Sequence, residues 1–156
     1  MTSVLVVDDH PMVIQGCRRL LADAGITSVL EAGDVAAGYE LFCCQRPDVV
    51  IVDLAMGADS LEGLSLIERI KSHNPQTRIL VLSMHRDPII VARALEAGAS
   101  GYILKDTATE DLLNAIQTIQ EGNSYLSHDL VFAGTSTVSF NENIVRGSVN
   151  FKFGAW

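Results

Sequence analysis

Short apolar runs alternate along this chain with longer stretches in which apolar residues recur every three or four positions. The short runs are typical of buried strands, and the longer stretches are typical of amphipathic helices. The predicted strands cover residues 3–7, 28–31, 49–53, 78–82 and 100–104. A predicted helix follows each strand. This alternation predicts an α/β fold, a doubly wound five-stranded parallel sheet with five helices on its two faces.

Several residues at the predicted helix ends favour particular caps. Asp34 and Asp87 stand where an N-cap is expected, and Pro88 suits the first helical position after Asp87. Thr107 and Glu110 have the spacing of a capping box, which predicts reciprocal side-chain bonds at the start of the fifth helix.

The pattern changes after residue 130. Residues 131–156 lack a helical period and in part alternate apolar with polar positions, which predicts an extended or β-like tail. A tail of this length is too short for a core of its own, and it shows no basic helix pattern of a DNA-binding domain. We therefore predict one domain over residues 1–130 and an atypical tail over residues 131–156, with no direct DNA binding by this chain.

Composition narrows the class of protein. The chain has 156 residues, 48% of them apolar, and a net charge of −8, with −9 over residues 1–130 and +1 over residues 131–156. An acidic domain repels nucleic acid and anionic lipid. No apolar run approaches the roughly 20 residues needed to span a bilayer, and no export signal is visible. With three cysteines in no disulfide or metal-binding pattern, we expect a cytoplasmic protein with no membrane partner.

Acidic residues follow two of the predicted strands directly. Asp8 and Asp9 follow the first strand, and Asp53 ends the third, the most apolar one. In the flavodoxin-like strand order 2-1-3-4-5, strands one and three are neighbours, so these three carboxylates would meet at the carboxyl edge of the sheet. Carboxylates so close repel one another and need a cation. Oxygen ligands at such a point favour Mg²⁺.

Two further strand ends carry residues that suit phosphoryl transfer. Lys105 after the fifth strand supplies a positive charge, and Ser83 at the end of the fourth supplies a hydroxyl donor. A carboxylate nucleophile attacks a phosphoryl group to form an acyl phosphate, while cations neutralise the transferred group. Position makes Asp53 the expected nucleophile.

The expected metal ligands are carboxylate and carbonyl oxygens. Asp9 is expected to bind Mg²⁺ directly, and Asp8 to bind it or to orient its water. Asp53 and the backbone carbonyl of Ala55 would complete the protein ligands.

These positions resemble a known family. Asp8, Asp9, Asp53, Ser83 and Lys105 are similar to the site residues of the receiver domain of two-component response regulators. The runs at residues 7–11, 82–85 and 94–106 look like the subfamily whose receiver precedes a LuxR-type helix-turn-helix output domain. The resemblance covers residues 3 to about 130, and the output domain is missing from the rest.

The resemblance implies a function. A sensor histidine kinase would phosphorylate Asp53 with Mg²⁺ present, the phosphoryl group would draw Ser83 inward, and Tyr102 would follow into the vacated space. The change would alter the face made by helix four, strand five and helix five. That face or the tail would support a homodimer. The chain would be no enzyme, only a phosphoacceptor with self-phosphorylation and autodephosphorylation chemistry.

This sequence also departs from the family. The loop after Asp53 is longer, with Gly63 ten residues beyond it, which puts the metal geometry at Ala55 in doubt. Asp106 stands where many receivers have proline after the lysine, so a cis bond is not expected there. The chain is consistent with a stand-alone receiver, a frameshifted product or a chain ending in foreign sequence. His10 and His85 are expected to be loop or packing residues rather than ligands.

Other functions fit the same fold less well. The chain could be an adaptor or dimerisation module for which phosphorylation is dispensable. A flavin-binding protein would need a phosphate loop after strand one, where Asp8 and Asp9 repel phosphate. A phosphatase with an Asp nucleophile usually has a second acid two residues later, where this chain has Ala55.

Overall fold

A computed structural model of the chain describes residues 2–56, 62–127 and 130. The strands are β1 (Ser3–Val7), β2 (Ser28–Ala32), β3 (Val49–Val52), β4 (Arg78–Ser83), β5 (Gly101–Leu104) and β6 (Tyr125–Leu126). The helices are α1 (Pro11–Asp23), α2 (Val35–Gln45), α3 (Glu62–His73), α4 (Pro88–Ala97) and α5 (Ala108–Gln120). A single 3-10 turn over Lys105–Thr107 leads into α5. Every predicted strand and helix is confirmed, with ends that differ by about one residue.

The strands form one parallel sheet in the order β2-β1-β3-β4-β5-β6. The predicted order 2-1-3-4-5 is confirmed, and the structure adds the short β6, which the sequence pattern did not predict. In the β1–β3 pair, Val7 lies opposite Val52, and the N–H of Asp53 donates to the carbonyl of Val7 at 3.0 Å. This register brings Asp8 and Asp53 out of the sheet side by side.

The sheet separates two apolar layers, because successive strand residues point to opposite faces. On one face, Val4, Val6 and Ile51 pack with α1 and α5. On the other face, Leu5 and Val52 pack with α2, α3 and α4. All four residues of β3 are buried, as expected for a central parallel strand. With both faces covered, polar side chains of the central strands concentrate at the strand ends.

The helix starts test the predicted caps. The Asp34 carboxylate accepts from the N–H of Ala37 at 2.7 Å, and Asp87 accepts from the N–H of Ile89 at 2.9 Å, so both predicted N-caps are confirmed. The capping box at Thr107 is wrong, because its side chain makes no cap hydrogen bond. A 3-10 turn ends at Thr107, and the threonine hydroxyl donates instead to the Asp111 carboxylate.

Asp111 of α5 holds the segment after the helix against the sheet. Its carboxylate accepts hydrogen bonds from the hydroxyls of Thr107 at 2.8 Å, Tyr125 at 2.8 Å and Ser127 at 2.9 Å. The Ser127 hydroxyl in turn accepts from the N–H of Leu104 at 3.0 Å. Burial, and then the bond to Asp111, raises the pKa of Tyr125, so its phenol stays protonated and donating at neutral pH. This network fastens β6 to β5.

Some predictions concern residues outside the described part of the chain. The predicted tail over residues 131–156 and the loop over residues 57–61 lie there, so the tail and the domain boundary at residue 130 stay predictions. Within the described residues, none of the helices has the length and apolar character that crossing a bilayer requires. All described peptide bonds are trans, including the bond before Asp106.

We predict that Asp111→Ala lowers the free energy of unfolding by about 2–4 kcal/mol, because three hydroxyl donors lose a charged acceptor. Urea unfolding measures the difference. Glu110→Ala removes an exposed carboxylate from the same helical turn and serves as the control, with an expected loss below about 1 kcal/mol. Equal losses for the two variants would contradict the role assigned to Asp111.

Candidate functional site

Three carboxylates meet where β1 and β3 end. One ligand atom each from Asp8, Asp9, His10 and Asp53 lies within 4.8 Å of all the others. Asp8 and Asp53 are buried, whereas Asp9 and His10 are exposed. The adjacency follows from the pairing of β1 with β3, as the strand order predicted. The structure therefore brings the three predicted acids together in one anionic cluster, which we call the acidic cluster.

The Asp53 carboxylate has a defined partner on each oxygen. Its Oδ1 accepts from the N–H of Ala55 at 3.1 Å, and its Oδ2 accepts from Lys105 Nζ at 3.1 Å. Burial, and then the nearby Asp8 carboxylate, raises the pKa of Asp53, while the Ala55 N–H and Lys105 act in the opposite direction. The two hydrogen bonds thus fix the orientation of the carboxylate, while burial and the Asp8 carboxylate disfavour its negative charge.

Lys105 closes the inner side of the acidic cluster. Its Nζ lies 3.1 Å from Asp53 Oδ2 and 3.2 Å from Asp8 Oδ2, and its side chain is largely buried. The 3-10 turn that begins at Lys105 follows β5 directly, so β5 sets the position of the ammonium group. One cation therefore bridges two buried carboxylates that come from different strands.

His10 lies in the acidic cluster, which the sequence analysis did not expect. Its Nδ1 is 2.9 Å from Asp8 Oδ1, 3.1 Å from Asp9 Oδ1 and 3.8 Å from Asp53 Oδ2. Its main-chain N–H also donates to Asp8 Oδ1 at 2.8 Å. The signal in the sequence was its place directly after two acids and before the proline that starts α1.

The residues present fit a divalent metal ion. Asp8 is 1% exposed, and its Oδ2 accepts no hydrogen bond from the described residues although Lys105 Nζ is near. Lys105 is shared between this oxygen and Asp53 Oδ2, so a single positive charge faces two buried carboxylates, and a second cation would offset the remaining negative charge. Asp9 and Asp53 contribute further oxygens within the same small volume. Hard oxygen donors of this kind match Mg²⁺.

The backbone of Asp53 rests against Gly63 at the start of α3. A β-carbon at Gly63 would lie 2.6 Å from the carbonyl oxygen of Asp53 and 2.7 Å from Leu54 Cα. The N–H of Gly63 donates to the Leu54 carbonyl at 3.1 Å. Only glycine can therefore occupy this position while α3 begins in contact with the backbone of Asp53 and Leu54. The sequence analysis noted this glycine only as a departure in loop length.

Ser83 and Tyr102 are both fully buried and both bond to the backbone of His85. The Ser83 hydroxyl accepts from the N–H of His85 at 3.0 Å, and the Tyr102 hydroxyl donates to its carbonyl at 2.9 Å. Burial raises the pKa of Tyr102 to about 12, so the phenol remains a donor at neutral pH. No described hydrogen bond joins Ser83 to Asp53. The movement of Ser83 toward a phosphoryl group on Asp53, with Tyr102 following, therefore stays a prediction.

The Ala55 carbonyl stays a predicted ligand only. The described contact of this residue is made by its N–H, and its side chain is exposed. Lys105, Ser83 and the acids all lie at the carboxyl edge of one parallel sheet. Ligands of such sheets bind at this edge.

Comparisons with known proteins point to one family. The family described as "Response regulator receiver domain" matches residues 4–117. The methanol utilization control regulatory protein MoxX of Paracoccus denitrificans is 35% identical over 128 residues, which are 82% of this chain and 57% of that protein. The chain thus spans somewhat over half the length of such curated relatives.

Solved structures agree with this result. A two-component response regulator of the LuxR family from an Aurantimonas species superposes with a TM-score of 0.80 at 33% identity, covering 87% of this chain and 97% of that one. The isolated REC domain of RcsB from Salmonella enterica serovar Typhimurium, determined with the phosphomimetic BeF3⁻, gives a TM-score of 0.74 at 32% identity, covering 84% and 96%.

We predict that Asp53→Asn stabilises the metal-free protein at pH 7 by on the order of 1 kcal/mol. Because the pKa of Asp53 is raised in the folded state, the folded protein binds a proton more tightly than the unfolded chain does. Wild-type stability therefore falls as the pH rises from the unfolded pKa through the raised folded value. The advantage of the variant is full above this interval and vanishes below it.

Urea unfolding in EDTA at several pH values from about 3.5 to about 7.5 measures this difference. The range begins near the ordinary pKa of an aspartate and extends well above it. Asp23→Asn, at the exposed end of α1, is the control and should leave the stability nearly unchanged. A stability of Asp53→Asn at pH 7 equal to or below that of the wild type would contradict the electrostatic account of the cluster.

Proposed function

The chain belongs to the response regulator receiver domain family, and from this premise we propose that it is the phosphoacceptor of a two-component phosphorelay. Asp53 is the proposed phosphoacceptor, and the proposed donor is the phosphohistidine of a sensor histidine kinase. The single observation that carries this proposal is the Asp53 carboxylate itself. It is 2% exposed, it lies at the carboxyl edge of the sheet, and it contacts both Lys105 and the acidic cluster.

The proposed transfer is a simple displacement at phosphorus. An oxygen of Asp53 forms a bond to phosphorus while the phosphorus–nitrogen bond of the donor histidine breaks, and the imidazole keeps the electron pair and takes up a proton. The Ala55 N–H on Oδ1 and Lys105 on Oδ2 hold the carboxylate plane before the reaction. After transfer, Lys105 is placed to pair with the new phosphoryl oxygens.

We propose that Asp8, Asp9 and Asp53 hold Mg²⁺, with the Ala55 carbonyl as a further ligand. The buried Oδ2 of Asp8 supports this, because it accepts no described hydrogen bond. A bound Mg²⁺ would neutralise negative charge shared by the carboxylates and the incoming phosphoryl group. The same residues would be required for self-phosphorylation from small phosphodonors and for autodephosphorylation. We infer no other enzymatic activity.

Ser83 and Tyr102 are the proposed switch residues. A phosphoryl group on Asp53 adds about two negative charges, which the Ser83 hydroxyl could bind by donating to a phosphoryl oxygen. Tyr102 is already buried and bonded to the His85 carbonyl. We therefore propose that phosphorylation stabilises this buried arrangement and so changes the population of conformations at the face of α4, β5 and α5.

The rest of the pathway is also a proposal. The matched relatives include LuxR-family and transcriptional regulators, and the chain corresponds to somewhat over half the length of the curated regulators. We propose that the chain acts in the cytoplasm through protein partners and not by direct contact with DNA or a membrane. The acidic net charge of −8 supports this.

We predict that acetyl phosphate with Mg²⁺ adds one phosphoryl group to the wild-type chain, as seen by intact mass. Asp53→Asn removes the nucleophile and should abolish the adduct, whereas Asp23→Asn is the matched control and should keep it. EDTA should suppress the reaction in the wild type and in Asp23→Asn. Labelling of Asp53→Asn at the wild-type level would overturn the assignment of the phosphoacceptor.

A second role, self-association through the face of α4, β5 and α5, is favoured by exposed apolar side chains. Within the described part of the chain, three large apolar side chains are exposed, and two of them, Met84 at 62% and Ile89 at 68%, flank the start of α4. Met12 of α1 is the third. Exposed apolar residues close in sequence to a proposed switch residue suit a homodimer.

We predict that beryllofluoride with Mg²⁺ shifts the chain from monomer toward dimer, because it mimics the phosphoryl group on Asp53. Ile89→Glu should prevent the shift by placing a charge in the interface. Met12→Glu introduces the same charge at an exposed apolar site on α1 and should leave the shift intact. Sedimentation velocity on both variants, with and without residues 131–156, measures the outcome. Dimerisation of Ile89→Glu equal to that of Met12→Glu would exclude this face.

A further inference from the structure

We propose that Ser127 is a positioning residue for Lys105, one whose hydroxyl holds the end of β5 so that the ammonium group stays between the two buried carboxylates. Ser127 has no described hydrogen bond or ion pair with the acidic cluster, so it acts only through the backbone that carries the lysine. The inference deepens the proposed function and rests on it, because the place of the ammonium group matters for transfer of a phosphoryl group to Asp53.

Ser127 is bonded to β5 at two points directly before the lysine. Its N–H donates to the carbonyl of Tyr102 at 3.1 Å, and its hydroxyl accepts from the N–H of Leu104 at 3.0 Å. The serine is 1% exposed, and Leu104 is fully buried. The residue that follows Leu104 is Lys105, so both bonds fix the stretch of strand from which the lysine side chain extends.

The serine hydroxyl replaces a main-chain acceptor. In a regular parallel ladder the N–H of Leu104 would donate to the carbonyl of Ser127, because the Ser127 N–H already bonds to β5 two residues earlier. That carbonyl instead accepts from the N–H of Leu130 at 2.8 Å, and β6 ends at Leu126. A buried N–H without an acceptor is costly. An alanine at this position would therefore leave the end of β5 without its last bond to the segment after α5.

Asp111 holds the backbone on both sides of Lys105. Its Oδ2 accepts from the Ser127 hydroxyl at 2.9 Å and from the Thr107 hydroxyl at 2.8 Å. Because the serine proton points to Asp111, a lone pair of the same oxygen is free to face the N–H of Leu104. Thr107 ends the 3-10 turn that begins at Lys105. One carboxylate thus fixes the chain just before the lysine through Ser127 and just after it through Thr107.

The position of Lys105 needs this support because its contacts are exacting. The ammonium nitrogen lies 3.1 Å from Asp53 Oδ2 and 3.2 Å from Asp8 Oδ2, at the end of a flexible four-carbon stem. A displacement of the backbone by about 1 Å is enough to lengthen these contacts beyond hydrogen-bond reach, and misplacement of that size costs up to about a hundredfold in rate. The hydroxyl of Ser127 is therefore expected to influence a reaction that it does not touch.

The rate of phosphoryl transfer is the first test. Labelling by acetyl phosphate with Mg²⁺, followed by intact mass, measures how fast an Asp53 oxygen bonds to phosphorus while acetate leaves with the electron pair of the broken bond. We expect Ser127→Ala to slow labelling at least about fivefold, because Lys105 loses its fixed place beside the reacting carboxylate. Labelling of Ser127→Ala at the wild-type rate would overturn the proposal.

Two variants of the same segment are matched controls. Tyr125→Phe removes another hydroxyl donor from Asp111, but the Tyr125 side chain has no described bond to Leu104. Ser124→Ala removes a hydroxyl from a residue that is also buried and that has no side-chain hydrogen bond among the described residues. Both should label within about twofold of the wild type. Equal slowing by Tyr125→Phe and Ser127→Ala would overturn the proposal, since a loosened β6 would then be the cause.

Nuclear magnetic resonance of the Lys105 ε-methylene group reports the position of the lysine directly. A side chain held in one place has two inequivalent ε protons, whereas a freely rotating one has nearly equivalent protons. The chain has three lysines, so Lys105→Ala assigns the signal by its loss. We expect two separate ε-proton signals in the wild type and in Tyr125→Phe, and merged signals in Ser127→Ala. Separate signals in Ser127→Ala, unchanged from the wild type, would overturn the proposal whatever the labelling rate.

A second variant keeps the test decisive if alanine at residue 127 prevents folding, which circular dichroism verifies. Thr107→Val nearly keeps the shape of the side chain but removes the hydroxyl that ties Asp111 to the turn after β5. We expect it to slow labelling and to merge the Lys105 signals, in the same direction as Ser127→Ala. Wild-type labelling and separate signals in Thr107→Val would contradict the hold of Asp111 on both sides of the lysine.

The failure of this proposal is distinguishable from failure of the proposed function. If acetyl phosphate labels Asp53 in the wild type but the Lys105 signals do not change in Ser127→Ala, the positioning role falls and the phosphoacceptor role stands. If the signals merge in Ser127→Ala but the wild type is never labelled, Ser127 positions the lysine and the phosphorelay role falls. If the signals merge while labelling keeps its wild-type rate, the role of Ser127 in phosphoryl transfer falls.

Discussion

The Lys105 ammonium group is the interaction on which the site depends. It lies 3.1 Å from one buried carboxylate and 3.2 Å from another, and these belong to Asp53 and Asp8. Two carboxylates buried so close together repel strongly in a medium of low polarity. One cation offsets part of that repulsion but leaves Asp8 Oδ2 without a hydrogen bond and the pKa of Asp53 raised. The site is therefore stable yet still anionic, which suits a second cation and then a phosphoryl group.

The fold serves this arrangement through its topology. Parallel pairing of β1 with β3 aligns Val7 with Val52, so the acids that follow them emerge together. The close contact of Gly63 with the Asp53 backbone lets α3 start directly behind the central carboxylate. After α5, the Ser127 hydroxyl accepts a hydrogen bond from the N–H of Leu104, the residue before Lys105. The position of that lysine is thus tied to the segment that follows α5.

Periodicity and strand-end chemistry were sufficient to predict the strands, the helices, the strand order and the meeting of Asp8, Asp9 and Asp53. These features depend on local pattern and on a general rule for parallel sheets. The sixth strand was missed because a two-residue strand has no period, and its anchor, Asp111, acts through contacts distant in sequence. The place of His10 was missed for a similar reason, because side-chain direction in a loop is decided by its neighbours in space.

The central claim is that these carboxylates and the lysine form one site for a metal ion and a phosphoryl group. A crystal structure of the chain grown with Mg²⁺ and beryllofluoride tests it most directly. The account predicts beryllium bonded to an oxygen of Asp53, Lys105 against the fluorides, and an ion between Asp53 and the acids after β1. Beryllofluoride bound elsewhere, or an ion site that excludes Asp8 and Asp9, would contradict it.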